Sequence, residues 1–256
     1  NHLKLREMLE ADGKAPAWRG HADTEILLAC FAAWGIEKTL EATVGMFAIA
    51  LWDCEEQRLT LARDRMGEKP LYYGWHGETL LFGSELKALK RDPQFEAEVD
   101  RNSLALLLRH SYIPAPYSIY KGISKLSPGH YITLPLGNVD AAKQSVPQAY
   151  WQVNTAVQKG LANPFKGSAS QAVDLLEQEL RSSIGEQMLA DVPLGAFLSG
   201  GVDSSAVVAL MQVQSKQPVR TFTIGFDEHG YDEAVHAKEV ARHLGTEHTE
   251  LYVRPE

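Results

Sequence analysis

Hydrophobic and polar positions follow two different periods in the first half of the chain. Over residues 23–34 apolar side chains recur at helical spacing, which predicts a helix. Apolar runs at 46–52 and 58–63 flank a polar turn and are typical of a β-hairpin, in which the second run alternates as a half-buried strand does. A further pair of strands is predicted at 71–75 and 79–82. We therefore expect antiparallel sheet in this half.

A helix is predicted at 102–110 and a strand at 130–134, and the pattern of apolar positions changes after residue 137. From 137 to about 170 the sequence is polar, holds scattered proline and glycine and lacks a clear period, so we expect a domain linker there. A long amphipathic helix is predicted at 171–189, followed by alternating strands and helices at 194–198, 203–214, 219–224, 232–244 and 249–253. Such alternation is typical of a parallel α/β sheet.

Composition narrows the classes of function. The chain has 256 residues, 45% of them hydrophobic, and a formal net charge of -8, which favours a globular protein of two domains and disfavours nucleic-acid or anionic-membrane binding. No apolar run approaches the roughly 20 residues of a membrane span. Cys30 and Cys54 both lie in apolar stretches, so we expect two buried thiols and a reducing, cytoplasmic setting.

Residues 198–205, Leu-Ser-Gly-Gly-Val-Asp-Ser-Ser, carry the strongest chemical signal. They join a strand-like run to a helix-like run, so the paired glycines allow a sharp turn and the helix start directs free N–H groups at an anion. The serine hydroxyls add donors. The loop has no lysine, and Asp203 would repel a phosphate unless a cation lies between them, which implies Mg²⁺. The alternative is an ordinary glycine turn between strand and helix.

A second strand end is expected at the same edge of the sheet. In an open parallel sheet, ligands bind outside the carboxyl ends of the strands. The run Ile224-Gly225-Phe226-Asp227 ends such a strand, so Ile224 could pack on an adenine and Gly225 could bring backbone close to a base or ribose. An unremarkable strand ending in a turn explains the same residues equally well.

Two blocks of sequence resemble the glutamine-dependent asparagine synthetase family. Ser-Gly-Gly-Val-Asp-Ser-Ser, with Ala190-Asp191-Val192-Pro193 before it and Phe222-Thr223-Ile224-Gly225-Phe226 after it, is similar to the family's pyrophosphate-loop synthetase domain. In the first half, the run from Gly45 to Asp53 and the segment Arg-Asp-Arg-Met-Gly-Glu-Lys-Pro at 63–70 resemble its glutaminase domain. The resemblance covers nearly the whole chain and is weakest between residues 137 and 167.

The resemblance implies a fold class of α+β followed by α/β. Residues 1–155 would form part of an αββα N-terminal-nucleophile glutamine amidotransferase sandwich, 156–170 a linker, and 171–256 the first part of a parallel-sheet, adenine nucleotide α-hydrolase-like ATP-pyrophosphatase domain. The implied activity is that of a carbon-nitrogen ligase with glutamine, ATP and aspartate as substrates. Ammonia from glutamine would displace AMP from an adenylated aspartate to form asparagine. A homodimer is left open.

The resemblance also assigns residues. Asp23 matches the aspartate that binds the α-amino group of glutamine, although a helix N-cap would place an aspartate there equally well. The implied ATP-binding residues are Leu198, Ser199, Gly200, Gly201, Asp203, Ser204, Ile224 and Gly225, with Asp203 reaching Mg²⁺ through the pyrophosphate.

Departures from the family pattern limit what the resemblance implies. The family's nucleophilic cysteine and its oxyanion residues precede the part that this sequence matches, by an alignment offset of about seventy residues. We therefore expect a fragment without catalytic residues of its own for glutamine hydrolysis. Two alternatives stay open: an amidotransferase of the same architecture acting on another carboxylate, such as a sugar, a polymer or a β-lactam precursor, and a non-catalytic nucleotide-binding fragment.

Overall fold

Residues 1–190, 192–226 and 233–254 are described by the structure, a computed structural model of the chain. The chain divides into two compact units, Asn1–Asn163 and Pro164–Glu256. No helix in the described ranges is both long enough and apolar enough to cross a membrane.

The first unit begins with helices and continues with short strands. Its elements are α1 (His2–Ala11), α2 (Asp23–Trp34), α3 (Ile36–Ala42), β1 (Ala48–Asp53), β2 (Arg58–Arg63), β3 (Tyr72–His76), β4 (Thr79–Gly83), α4 (Leu86–Leu89), α5 (Arg101–His110), β5 (Ile123–Lys125), β6 (His130–Pro135), α6 (Val139–Lys143), β7 (Gln148–Ala149) and α7 (Val153–Ala162).

Two antiparallel sheets form the centre of this unit, with strand orders β1-β2-β6-β7 and β4-β3-β5. Leu61 of β2 lies opposite Ile132 of β6, and both side chains are fully buried. Tyr73 and Trp75 of β3 pack against the same core, so the sheets face each other across it. The result is a mixed α/β unit with antiparallel strands.

β2 is buried on both faces, which corrects the expectation of a half-buried strand. Leu59 and Leu61 face the core between the sheets, whereas Ala62 packs with Leu40 of α3 and with Tyr150. The alternating pattern of β2 places small or hydroxyl-bearing side chains on the second face, and α3 covers them. No helix was expected over residues 36–42, so the covering of β2 by α3 was missing from the sequence-based picture.

One further expectation is wrong in the first unit. Cys54 is exposed because it lies in the turn of the β1–β2 hairpin, where the Asp53 carboxylate accepts the N–H groups of Glu55 and Glu56 at 3.0 Å. Cys30 is buried, as expected. The stretch expected to be a linker contains α7, which buries none of its side chains.

The second unit alternates helix and strand. Its elements are α8 (Ala169–Gln187), β8 (Gly195–Phe197), α9 (Val202–Gln214), β9 (Arg220–Phe226), α10 (Ala234–Leu244) and β10 (Glu247–Val253). The strands are parallel in the order β10-β9-β8. Helix α8 starts two residues before its expected position, since Ser168 and Gln171 form a capping box.

Helices α9 and α10 cover one face of this parallel sheet. Leu198 packs with Val208 of α9 and with Ala237 and Ala241 of α10. β9 alternates strictly, with its threonines and Gly225 buried and its apolar side chains exposed. The carboxyl ends of β8 and β9 therefore meet beside the start of α9, where the candidate loop lies.

Candidate functional site

The glycine- and serine-rich loop joins β8 to α9. Helix α9 begins at Val202, with Gly201 as its N-cap residue. The N–H groups of a first helical turn have no partners within the helix, so those of Val202, Asp203 and Ser204 are donors for an anion. The loop thus has the strand-to-helix geometry that phosphate sites use.

Serine hydroxyls bind the two arms of this loop together. The Ser204 Oγ accepts the N–H of Ser199 at 3.2 Å and lies 2.9 Å from the Ser199 Oγ. The Ser205 Oγ donates to the carbonyl of Gly201 at 2.7 Å. Ser204 and Ser205 therefore hold the loop in shape, in addition to any role as ligand donors.

The two glycines of the loop differ in what they require. Gly200 has a φ of +77°, and a Cβ atom there would lie 2.8 Å from both the backbone nitrogen of Ala237 and the Cβ of His236. Gly201 has a φ of -73°, and an added Cβ would meet only the Ser199 Oγ, at 3.4 Å. Gly200 is thus the constrained glycine, both by its positive φ and by the close packing of α10 against it.

Leu198 contributes its backbone to the loop. Its side chain is 1% exposed in the core between sheet and helices. Its N–H donates to the carbonyl of Phe222 at 2.9 Å, and its carbonyl accepts the hydroxyl of Thr223. Both main-chain polar groups of Leu198 thus have partners within the protein, and its side chain is not accessible to a ligand.

The end of β9 differs from the sequence-based picture. Ile224 is 47% exposed on the face opposite to the helices, so its side chain and that of Leu198 lie on different faces of the sheet. Gly225 is buried, and a Cβ atom added to it would lie 2.7 Å from the ring of Tyr252. The contact of Tyr252 with Gly225 was not predicted from the sequence, because it depends on the register in which β10 pairs with β9. Asp227 and Asp191 lie outside the described residues.

Asp203 lies exposed in the first turn of α9. The described residues contain no group of three His, Cys, Asp or Glu side chains that could hold a metal. One carboxylate next to several hydroxyls nevertheless suits a hard cation that takes most of its ligands from phosphate and water. The loop therefore fits a metal that is bound together with a nucleotide.

Asp23 is the first residue of α2, and Ala22 holds the N-cap position. Its Oδ1 accepts the N–H of Thr24 at 2.7 Å, so the carboxylate is tied to its own helix turn but does not cap the helix. Glu25 uses both carboxylate oxygens, which accept the N–H groups of Arg19 at 2.8 Å and Gly20 at 2.9 Å. Asp23 is therefore the exposed carboxylate at this helix start, and Glu25 shapes the segment before it.

The charged segment at residues 63–69 is organised by hydrogen bonds to backbone groups. Arg63 donates to the carbonyls of Lys69, Leu126 and Gly67 at 2.8, 2.8 and 2.6 Å. Asp64 is 1% exposed and accepts the N–H groups of Glu68 and Lys69, both at 2.9 Å. This network fixes loops in the first unit.

Burial sets the ionisation of the groups around that network. It lowers the pKa of Arg63, although the nearby charge of Asp64 opposes the shift. It raises the pKa of Tyr150, whose hydroxyl donates to the Arg63 carbonyl at 2.8 Å. Both groups act as structural hydrogen-bond partners in this network.

The fold and the loop define a chain of two parts, one with antiparallel sheets and one with a phosphate-type loop on a parallel sheet. Residues 1–151 match the family model described as a glutamine amidotransferase domain, and residues 175–256 match the one described as asparagine synthase. The chain belongs to the glutamine-dependent asparagine synthetase family.

Relatives of known name are similar to the chain along most of its length. Glutamine-hydrolyzing asparagine synthetases 1 and 3 of Bacillus subtilis (strain 168) are 32% and 33% identical to it, over 100% and 89% of this chain and 38% and 35% of their own lengths. Amidase chry2 of Gibberella zeae is 28% identical over 89% of this chain and 34% of its own length. The chain thus spans well under half of each relative.

A solved structure shows weak similarity to the chain in both fold and sequence. The glutamine phosphoribosylpyrophosphate amidotransferase of B. subtilis, complexed with ADP and GMP, gives a TM-score of 0.42 at 12% identity and covers 99% of this chain and 68% of its own.

Proposed function

We propose that the protein acts in glutamine-dependent asparagine synthesis, in which ATP adenylates aspartate and ammonia from glutamine displaces the AMP. The observation that carries this proposal is the Ser-Gly-Gly-Val-Asp-Ser-Ser loop at the carboxyl end of a parallel sheet, in a chain that also matches a glutamine amidotransferase domain.

The nucleotide is proposed to bind across the ends of β8 and β9. First-turn N–H groups of α9 and the loop residues Ser199, Gly200, Gly201 and Ser204 would bind its phosphates. Asp203 would hold Mg²⁺ on the pyrophosphate, where the cation neutralises phosphate charge. Because the chain carries a net charge of -8, such local donors are needed to attract an anion. Main-chain groups of Leu198 and Gly225, with the Ile224 side chain, would line the base and ribose.

Glutamine is proposed to bind at the start of α2. The α-ammonium group of the amino acid needs a fixed carboxylate, and Asp23 is exposed there, whereas both oxygens of Glu25 already accept backbone N–H groups.

The finer architecture follows from the same proposal. The first unit would be part of an αββα N-terminal-nucleophile sandwich and the second part of an adenine nucleotide α-hydrolase-like domain. Functional domain limits of 1–155 and 171–256, with 156–170 as a connecting segment, are proposed on the polar sequence around α7.

The proposed reaction balances in two steps. A carboxylate oxygen of aspartate attacks the α-phosphorus of ATP, and the bond to the bridging oxygen breaks to release pyrophosphate. Ammonia then attacks the acyl carbon, loses a proton and displaces AMP. In the first step the loop backbone would bind the departing pyrophosphate.

ATP–pyrophosphate exchange tests the proposal. The purified protein is assayed with Mg²⁺, labelled pyrophosphate and a panel of carboxylic acids, with aspartate expected to support exchange and the Asp203→Asn variant expected to lose it. A second candidate, amidation of a different carboxylate, is favoured by the similarity to amidase chry2. Exchange with another acid but not with aspartate would select it, and absence of Mg-ATP binding would refute both.

A further inference from the structure

Thr223 is a buried threonine on the central strand of the parallel sheet, outside the glycine- and serine-rich loop. It is 5% exposed, and its hydroxyl donates to the carbonyl of Leu198, the residue immediately before the loop. Buried hydroxyls of this kind matter because they satisfy a polar group that has no access to water.

The hydroxyl continues the hydrogen bonding of the sheet beyond the point where the strands separate. Among the described residues, the last backbone hydrogen bond between these segments runs from the N–H of Leu198 to the carbonyl of Phe222. The next acceptor along the chain, the Leu198 carbonyl, receives the Thr223 side chain instead. The main chain can therefore leave the sheet at Ser199 without an unsatisfied buried carbonyl.

We propose that Thr223 is a positioning residue for the nucleotide-binding loop, a role that rests on the proposed function. By holding the Leu198 carbonyl, it sets the direction in which Ser199 and the two glycines leave the sheet. Loss of the hydroxyl leaves a buried acceptor unpaired, and the loop relaxes toward water and away from the shape that accepts phosphate.

Thr221 provides a matched control on the same face of the same strand. It is 0% exposed, and its Oγ1 lies 2.9 Å from both the Thr246 Oγ1 and the His248 Nδ1. Its partners belong to the segment around the start of β10, so the same chemical change there removes a buried hydroxyl without touching the loop.

The experiment measures two quantities on the purified protein: Kd for Mg-ATP by titration calorimetry, and thermal unfolding by far-UV circular dichroism. Thr223→Val should raise Kd by about tenfold, which lies within the range of about fivefold to a hundredfold that one unsatisfied buried acceptor corresponds to. Thr223→Ser, which retains the hydroxyl, should restore Kd to within about threefold. Thr221→Val should lower the unfolding temperature and leave Kd unchanged.

Each outcome decides between positioning and general stability. A normal Kd in folded Thr223→Val, or an equal rise in Kd for Thr221→Val, overturns the role of Thr223. If Thr223→Val does not fold, Thr223→Ala is compared with Thr223→Ser: a weak alanine variant and a normal serine variant support the role, and equal affinities overturn it. If the unsubstituted protein binds no Mg-ATP, the proposed function fails and this inference with it.

Discussion

Gly200→Ala is the substitution that tests the geometry of the loop most directly. An alanine at the φ of +77° found here would have to adopt the left-handed backbone conformation, which costs about 1–2 kcal/mol of stability. The new methyl carbon would lie 2.8 Å from the nitrogen of Ala237 and 3.0 Å from the carbonyl carbon of His236. Both atoms are backbone of α10 and cannot rotate away, so overpacking adds about 1–3 kcal/mol. The free energy of unfolding of the second unit should fall by about 2–5 kcal/mol.

Urea unfolding can resolve the two units by choice of probe. All five tryptophans, at positions 18, 34, 52, 75 and 151, lie in the first unit. Tryptophan fluorescence therefore reports that unit alone, and far-UV circular dichroism reports both. At an m-value of about 1 kcal/mol/M, a loss of 2 kcal/mol lowers the dichroism midpoint of the second unit by about 2 M. The fluorescence midpoint should not move.

Gly201→Ala is the matched control for this prediction. Its φ of -73° suits alanine, and the added methyl meets only a serine hydroxyl at 3.4 Å. Its unfolding midpoint should stay near that of the unsubstituted protein, whereas its affinity for Mg-ATP should fall because the methyl blocks close approach of phosphate to backbone. Equal urea midpoints for Gly200→Ala and Gly201→Ala would refute the packing of α10 on the loop.

Three further predictions concern single side chains. Asp203→Asn should weaken Mg-ATP binding by about tenfold or more without changing the unfolding temperature, since the carboxylate is exposed; normal binding by calorimetry would contradict the metal role. In a full-length protein that also carries the nucleophilic cysteine, Asp23→Ala should raise the KM for glutamine by about tenfold or more, with synthesis from added ammonia unchanged as the control; an equal loss with ammonia would point to misfolding instead. Cys54 should react with a thiol reagent in the native protein at pH 8, whereas Cys30 should react only after unfolding, because burial raises the pKa of its thiol to about 11; a thiol count in urea checks this, and two fast thiols in the native state would contradict the burial of α2.

Elements with a strong period were predictable from the sequence. Helix α2 and strand β2 begin and end at the expected residues, because their apolar positions follow one period throughout. Helix α7 was missed even though Val153, Val157 and Leu161 recur every four residues. All three are exposed, and the surrounding polar composition favoured a linker.

The position of the candidate loop was predictable from the sequence, but the structural role of each residue in and around it was not. The sequence marks two adjacent glycines as equivalent, and only the packing of α10 makes Gly200 the constrained one. A threonine within a strand is ordinary by propensity, so nothing in the sequence distinguishes Thr223 from Thr221. Their difference arises from the neighbouring chain: one hydroxyl meets the Leu198 carbonyl, and the other meets the segment around His248.

The loop depends on its supports because it has little charge of its own to attract an anion. It contains an aspartate and no lysine or arginine, in a chain of net charge -8. Binding of phosphate must then come from oriented N–H groups, whose strength depends on their direction. Gly200 allows the loop to pack closely on α10, the Ser204 hydroxyl accepts the N–H of Ser199, and the Thr223 hydroxyl donates to the carbonyl of the residue before the loop. Changes at these three positions should therefore act on nucleotide affinity through backbone direction, even where no ligand contact is lost.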